Sequence, residues 1–82
     1  MVTVFRAHGL SVVIFVNDHE PAHVHVYGDG EAKINLAGPG GTPMLVWADN
    51  MTRSEVRRAL RIVVERQAAL LAKWEEMHER SE

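Results

Sequence analysis

The segment from His23 to Leu36 constrains the fold more than any other part of the chain. The runs His23–Tyr27 and Glu31–Asn35 flank Gly28-Asp29-Gly30, a loop signal between two extended stretches. A three-residue loop pairs Tyr27 with Glu31. The register then places Val26 opposite Ala32, His25 opposite Lys33, Val24 opposite Ile34, and His23 opposite Asn35. One face of this hairpin is Val24, Val26, Ala32 and Ile34, extended by Leu36. The other is His23, His25, Tyr27, Glu31, Lys33 and Asn35. A slip of one residue mixes the two faces, so the apolar pattern itself supports the register. The hairpin needs apolar cover on one side and offers polar chemistry on the other.

The neighbouring segments supply the cover. Leu10–Val16 is β-branched at most positions and apolar on both faces, which suits a central strand. Val2–Arg6 is β-prone and joins it through His8-Gly9, so these two form a first hairpin. Pro21 lacks a backbone donor and belongs at the start of a strand or on an edge. Gly38–Pro43 reads as a loop, and Met44–Trp47 as a last short strand. Thr52-Arg53-Ser54-Glu55 matches a capping box, with Thr52 as N-cap. An apolar seam follows at Val56, Leu60, Val63, Leu70, Trp74 and Met77, interrupted by Gln67. The expected fold is α+β, one domain over residues 1–82. A curved antiparallel sheet of four or five strands (residues 1–48) packs against one long C-terminal helix (residues 52–80).

Length bears on that helix. Residues 52–80 span about 43 Å as a continuous helix, whereas a compact domain of this size is about 30 Å across. The helix must overhang its sheet or break. If it is continuous, Leu70, Trp74 and Met77 need another surface, either a second copy of the chain in a homodimer or a cognate small protein.

The chain has no cysteine, which removes disulfides, thiolate zinc sites and cysteine nucleophiles. The N-terminal residues lack the apolar core of a leader peptide, and no apolar run is long enough to span a membrane, so a cytoplasmic protein without a membrane partner is expected. A net charge of −2 argues against a generally basic nucleic-acid binder. Yet Arg53, Arg57, Arg58 and Arg61 crowd the start of the helix, while Glu75, Glu76, Glu79 and Glu82 crowd its end. The helix dipole favours the opposite order. Either this is a solvated face with pairs such as Arg61–Glu65, or the basic start meets an anion such as RNA or DNA phosphate, or the acidic groups of a partner.

Three of the five histidines, His19, His23 and His25, fall within seven residues. Neutral imidazoles bind divalent transition metals such as zinc, and His23 and His25 share a strand face. His19 or Asp18 supplies a third ligand in that reading, although Lys33 opposite His25 works against a cation. Without a metal or other cofactor, His23 and His25 can act as base and acid in cleavage of an RNA phosphodiester. Lys33 then stabilises developing negative charge and Asp18 orients a ring. In a third reading the cluster is structural: His23 pairs with Asn35 across the strands, His19 caps the turn before Pro21, and the polar face binds a partner without chemistry.

The run Phe15-Val16-Asn17-Asp18-His19-Glu20-Pro21-Ala22-His23-Val24-His25-Val26, with Ala32-Lys33-Ile34 and Leu70-Leu71-x-x-Trp74, resembles a bacterial family of small proteins called domain of unknown function 4160. Its hallmark is similar to Asp-His-x-Pro-x-His-x-His-Val, matched here by Asp18, His19, Pro21, His23 and His25. The resemblance implies no set activity. It implies a component of a toxin–antitoxin-like module that binds or cleaves RNA, or binds a cognate small protein. The chain departs from the pattern after Leu36, and Gln67 stands where relatives carry a helix histidine.

Overall fold

The computed structural model describes residues 2–79. Arg80, the expected end of the helix, and Glu82 lie outside the described residues. Five strands come first: β1 (Val2–Ala7), β2 (Leu10–Ile14), β3 (His23–Tyr27), β4 (Glu31–Asn35) and β5 (Met44–Asp49). Two helices follow, α1 (Arg53–Glu65) and α2 (Gln67–Glu79). The strands form one antiparallel sheet in chain order, β1-β2-β3-β4-β5. The class is α+β.

Each turn follows from its residues. His8 (φ 53°) and Gly9 (φ 76°) both take the left-handed conformation that a two-residue hairpin loop requires. In the second hairpin every expected pair forms, from Tyr27 opposite Glu31 to His23 opposite Asn35. Gly30 is obligatory there for a different reason: a Cβ at that position would overlap the carbonyl oxygens of Asp49 and Asn50. The pairing of β4 with β5 slips after Lys33, which leaves Val46 as a bulge on an exposed edge strand.

The core lies on the apolar face of the sheet. Val12, Ile14, Val24, Val26, Ile34 and Leu36 are fully buried beneath Ala59, Ile62 and Val63 of α1 and Leu70 and Trp74 of α2. Thr52 Oγ1 accepts from the Glu55 amide (3.1 Å), and Glu55 Oε1 accepts from the Thr52 amide (3.1 Å), so the capping box is complete. The bond from the Thr52 amide, aided by the Thr52 side chain, holds the Glu55 carboxyl below its ordinary range.

The single long helix is replaced by two. Arg66 leaves helical geometry (φ −118°, ψ 18°), and its amide is shared between Ile62 O and Val63 O at 3.2 Å each. Gln67, the polar interruption in the seam, explains the break. Its amide donates to Leu36 O (2.7 Å) and Gly41 O (2.6 Å), tying the helix junction to the loop after β4. Arg66 itself stacks its guanidinium 3.6 Å over the Phe5 ring. The longest dimension of the molecule is therefore 37 Å, short of the about 43 Å of an unbroken helix. The overhang vanishes with it. Leu70 and Trp74 are 3% and 1% exposed, so they belong to the chain's own core, and Met77 packs half-buried against that core. Leu70 and Trp74 are not the partner surface expected of a continuous helix. Among the described residues, no helix is long and apolar enough to cross a membrane.

Two outcomes follow for stability. Trp74→Ala is expected to lower unfolding free energy by about 3–5 kcal/mol, measured by chemical denaturation, and equally at all protein concentrations. Thr52→Ala is expected to cost about 1 kcal/mol near neutral pH. Because the Glu55 carboxyl is depressed in the fold, its share of the cap is complete above the ordinary carboxylate range. That share is lost as pH falls through the lower folded value. The gap between wild type and Glu55→Gln should therefore close on acidification in denaturation curves.

Candidate metal centre

The connection between β2 and β3 carries Asp18 back over the start of β3. The Asp18 amide donates to Phe15 O (3.2 Å), closing a turn. Asp18 Oδ2 then lies 2.7 Å from His23 Nε2 and 3.4 Å from His25 Nε2. His23 and His25 are two residues apart on one strand, so the pleat puts both rings on the same face, with centroids 5.3 Å apart.

The remaining ring nitrogens are engaged elsewhere. His23 Nδ1 donates to Pro21 O (2.9 Å), and His25 Nδ1 donates to Glu31 Oε2 (2.9 Å). Both partners are acceptors, so each Nδ1 carries a proton and each Nε2 turns toward Asp18; the 2.7 Å contact of His23 Nε2 with Asp18 Oδ2 is a hydrogen bond when that nitrogen is protonated as well. One ligand atom from each of Asp18, His23 and His25 falls within 4.8 Å of the others. Burial first, and then the bond and charge of Glu31, raise the Tyr27 phenol above its ordinary value.

Burial grades across the cluster. The side chains of His23, His25 and Asp18 are 3%, 13% and 31% exposed, so the site opens on the Asp18 side. Burial alone would raise the Asp18 carboxyl. The hydrogen bond and charge of His23, then the charge and hydrogen bond of His25, outweigh burial and hold it below the usual carboxylate value. Aromatic rings wall the site. Phe15 meets His25 edge-on at 4.7 Å, Trp74 lies 5.0 Å from His23, and Trp47 lies 6.1 Å from His25.

The structure thus brings together Asp18, His23 and His25, but not every residue the sequence offered. His19 is exposed and outside the group; adjacent residues in the turn diverge, and Asp18 takes the inward position. Lys33 is the cross-strand neighbour of His25 and, on its other side, of Trp47. It belongs to none of the ion pairs among the described residues. Asn35 stands opposite His23 in register, yet the expected bond between them does not form. His23 is committed to Asp18 and Pro21, and Asn35 Oδ1 is buried without a partner among the described residues.

The arginines lie elsewhere. Arg53, Arg57 and Arg61 are exposed on α1, and Arg58 donates to His8 O in the first hairpin turn (3.4 Å). Arg58 also borders Gly28 and Asp29, at the end of β3 opposite His23. The basic turns of α1 and the histidine cluster therefore do not form one surface.

Two residues of the site escaped sequence reasoning. Glu31 was placed on the correct face by the register, diagonal to His25, but its role as the ring's anchor needed side-chain geometry. His78 stacks on Trp74 (3.7 Å) and reaches Asp18 O with Nε2 (3.1 Å). Its signal was the i, i+4 spacing from Trp74, which puts both on one helix face.

No curated protein and no solved structure matches the chain. A family model does match, over residues 9–75, a span that holds Asp18, His23, His25, Glu31 and Trp74. The chain belongs to the family described as domain of unknown function (DUF4160).

Proposed function

We propose that this domain binds a divalent transition metal through Asp18 Oδ2, His23 Nε2 and His25 Nε2. The observation that carries this reading is the disposal of the Nδ1 atoms. Each is held by an acceptor, Pro21 O or Glu31 Oε2, which leaves both Nε2 lone pairs free to ligate when the rings are neutral. Backbone carbonyls and carboxylates in that position are the usual outer partners of metal-ligating histidines. Two imidazoles and one carboxylate suit zinc, iron, cobalt or nickel, and three protein ligands leave a position for water or an oxygen-donor ligand.

The fit is close. Ligand atoms around a tetrahedral ion stand roughly 3.3 Å apart. The 3.4 Å between Asp18 and His25 already meets this, and the 2.7 Å between Asp18 and His23 needs a small withdrawal of Asp18, the most exposed of the three. Metal analysis of protein purified without added metal, then loaded with Zn²⁺ or Co²⁺ and desalted, tests the proposal. Stoichiometric metal is expected in wild type and its loss in His23→Ala. Wild type that retains no metal after loading sinks the reading.

A second reading is favoured by the hydrogen bond between Asp18 and His23. Asp18 hydrogen-bonded to His23 and 3.4 Å from His25 Nε2, with Lys33 across from His25, is an arrangement suited to proton transfer at an RNA phosphodiester. In this reading the chain is the RNA-directed component of a toxin–antitoxin-like module, and its cognate small protein restrains it. Expressed alone, wild type should arrest growth and His25→Ala should not, with cleavage reduced by roughly 100-fold or more. Equal growth of the two strains counts against it.

A further inference from the structure

The segment that supplies Asp18 is short of regular structure, yet two hydrogen bonds from α2 reach it. His78 Nε2 lies 3.1 Å from Asp18 O and Nδ1 lies 2.8 Å from Trp74 O, four residues back on α2; both oxygens are acceptors, so both bonds form together when each ring nitrogen carries a proton. The two rings stack at 3.7 Å with planes 19° apart. Trp74 Nε1 donates to Glu20 Oε1 (3.4 Å), and its ring packs 5.0 Å from His23. So the last turns of α2 meet the Asp18 carbonyl and the Glu20 carboxylate on one side, while the ligand histidines stand on β3 at the other.

These contacts differ in kind from core packing. Trp74 is fully buried and would be expected to stay in place for apolar reasons alone. His78 is half-buried, and its Nε2 is directed at a main-chain oxygen of the residue that donates the carboxylate. A ligand on a turn is placed only as well as that turn's backbone is placed. Resting on the metal reading above, we propose that His78, stacked on Trp74, is a positioning residue for the metal centre. It holds the Asp18 main chain so that the carboxylate meets His23 and His25, and it thereby couples metal binding to docking of the end of α2.

The test is Co²⁺ binding by the whole chain, followed by visible absorption and by competition with a chelator. His78→Phe keeps a ring to stack on Trp74 and removes the donor to Asp18 O. Its affinity for Co²⁺ should fall about 10–100-fold, with a changed d–d spectrum as the carboxylate leaves the ligand set. His78→Gln retains an N–H donor and should recover most of the affinity and the wild-type spectrum. Affinity of His78→Phe within threefold of wild type, or no recovery in His78→Gln, overturns the proposal. Wild type that binds no Co²⁺ removes the metal reading and this inference together, which separates the two failures. Should His78→Phe not fold, amide exchange of wild type decides. Zn²⁺ is expected to slow exchange in the last turns of α2 by at least about tenfold, and unchanged exchange there overturns the coupling.

Discussion

Alternation along β3 and β4 governs the rest of this molecule. Val24, Val26, Ala32 and Ile34 go to one side of the sheet and must be covered by helices. His23 and His25 go to the other side, where polar partners must be found for four ring nitrogens. The chain meets the second demand with one turn, Phe15–Ala22, which returns Asp18 to the rings and presents the Pro21 carbonyl to His23. Glu31 completes it from the neighbouring strand. The same register that builds the core therefore assembles the cluster, and a shift of one residue would turn the histidines toward the helices and the valines away from them.

The helices answer a constraint of size. A chain of 82 residues has little apolar surface to bury, so a helix running past the sheet would waste its last turns. Breaking at Arg66 returns Leu70 and Trp74 to the core. Gln67 makes the break specific, because its amide closes two backbone acceptors in the Leu36–Gly41 loop. The division also separates tasks. α1 covers the sheet with Ala59, Ile62 and Val63, whereas α2 places Trp74 and His78 against the residues around the candidate metal centre.

Much of this was legible in the sequence, for reasons that differ by element. Hairpin register was readable because period-two patterning and a glycine-flanked loop both specify it, and the capping box because Thr52 and Glu55 act within one turn. The helix break was not readable as a position. Val56 to Met77 keeps a continuous seam, and only Gln67 marks the fault, whose meaning depends on carbonyls 26 and 31 residues away. The candidate site was half legible. His23 and His25 share a face by local geometry, but the choice of Asp18 over His19 depends on how a turn folds, and His78 enters from the far end of the chain.

The sheet follows chain order, so every strand pairs with its sequence neighbour and each pairing closes a short loop. Such local topology favours rapid folding. The contact between His78 and Asp18 spans 60 positions instead. Closing a loop of that length costs about 2 kcal/mol more entropy than closing a hairpin turn of four residues. The strands can thus assemble the two histidines early, while the carboxylate waits for α2. In a chain made from its N-terminus, the strands that carry the imidazoles precede α2, so the contact of His78 with Asp18 is among the last the sequence can make.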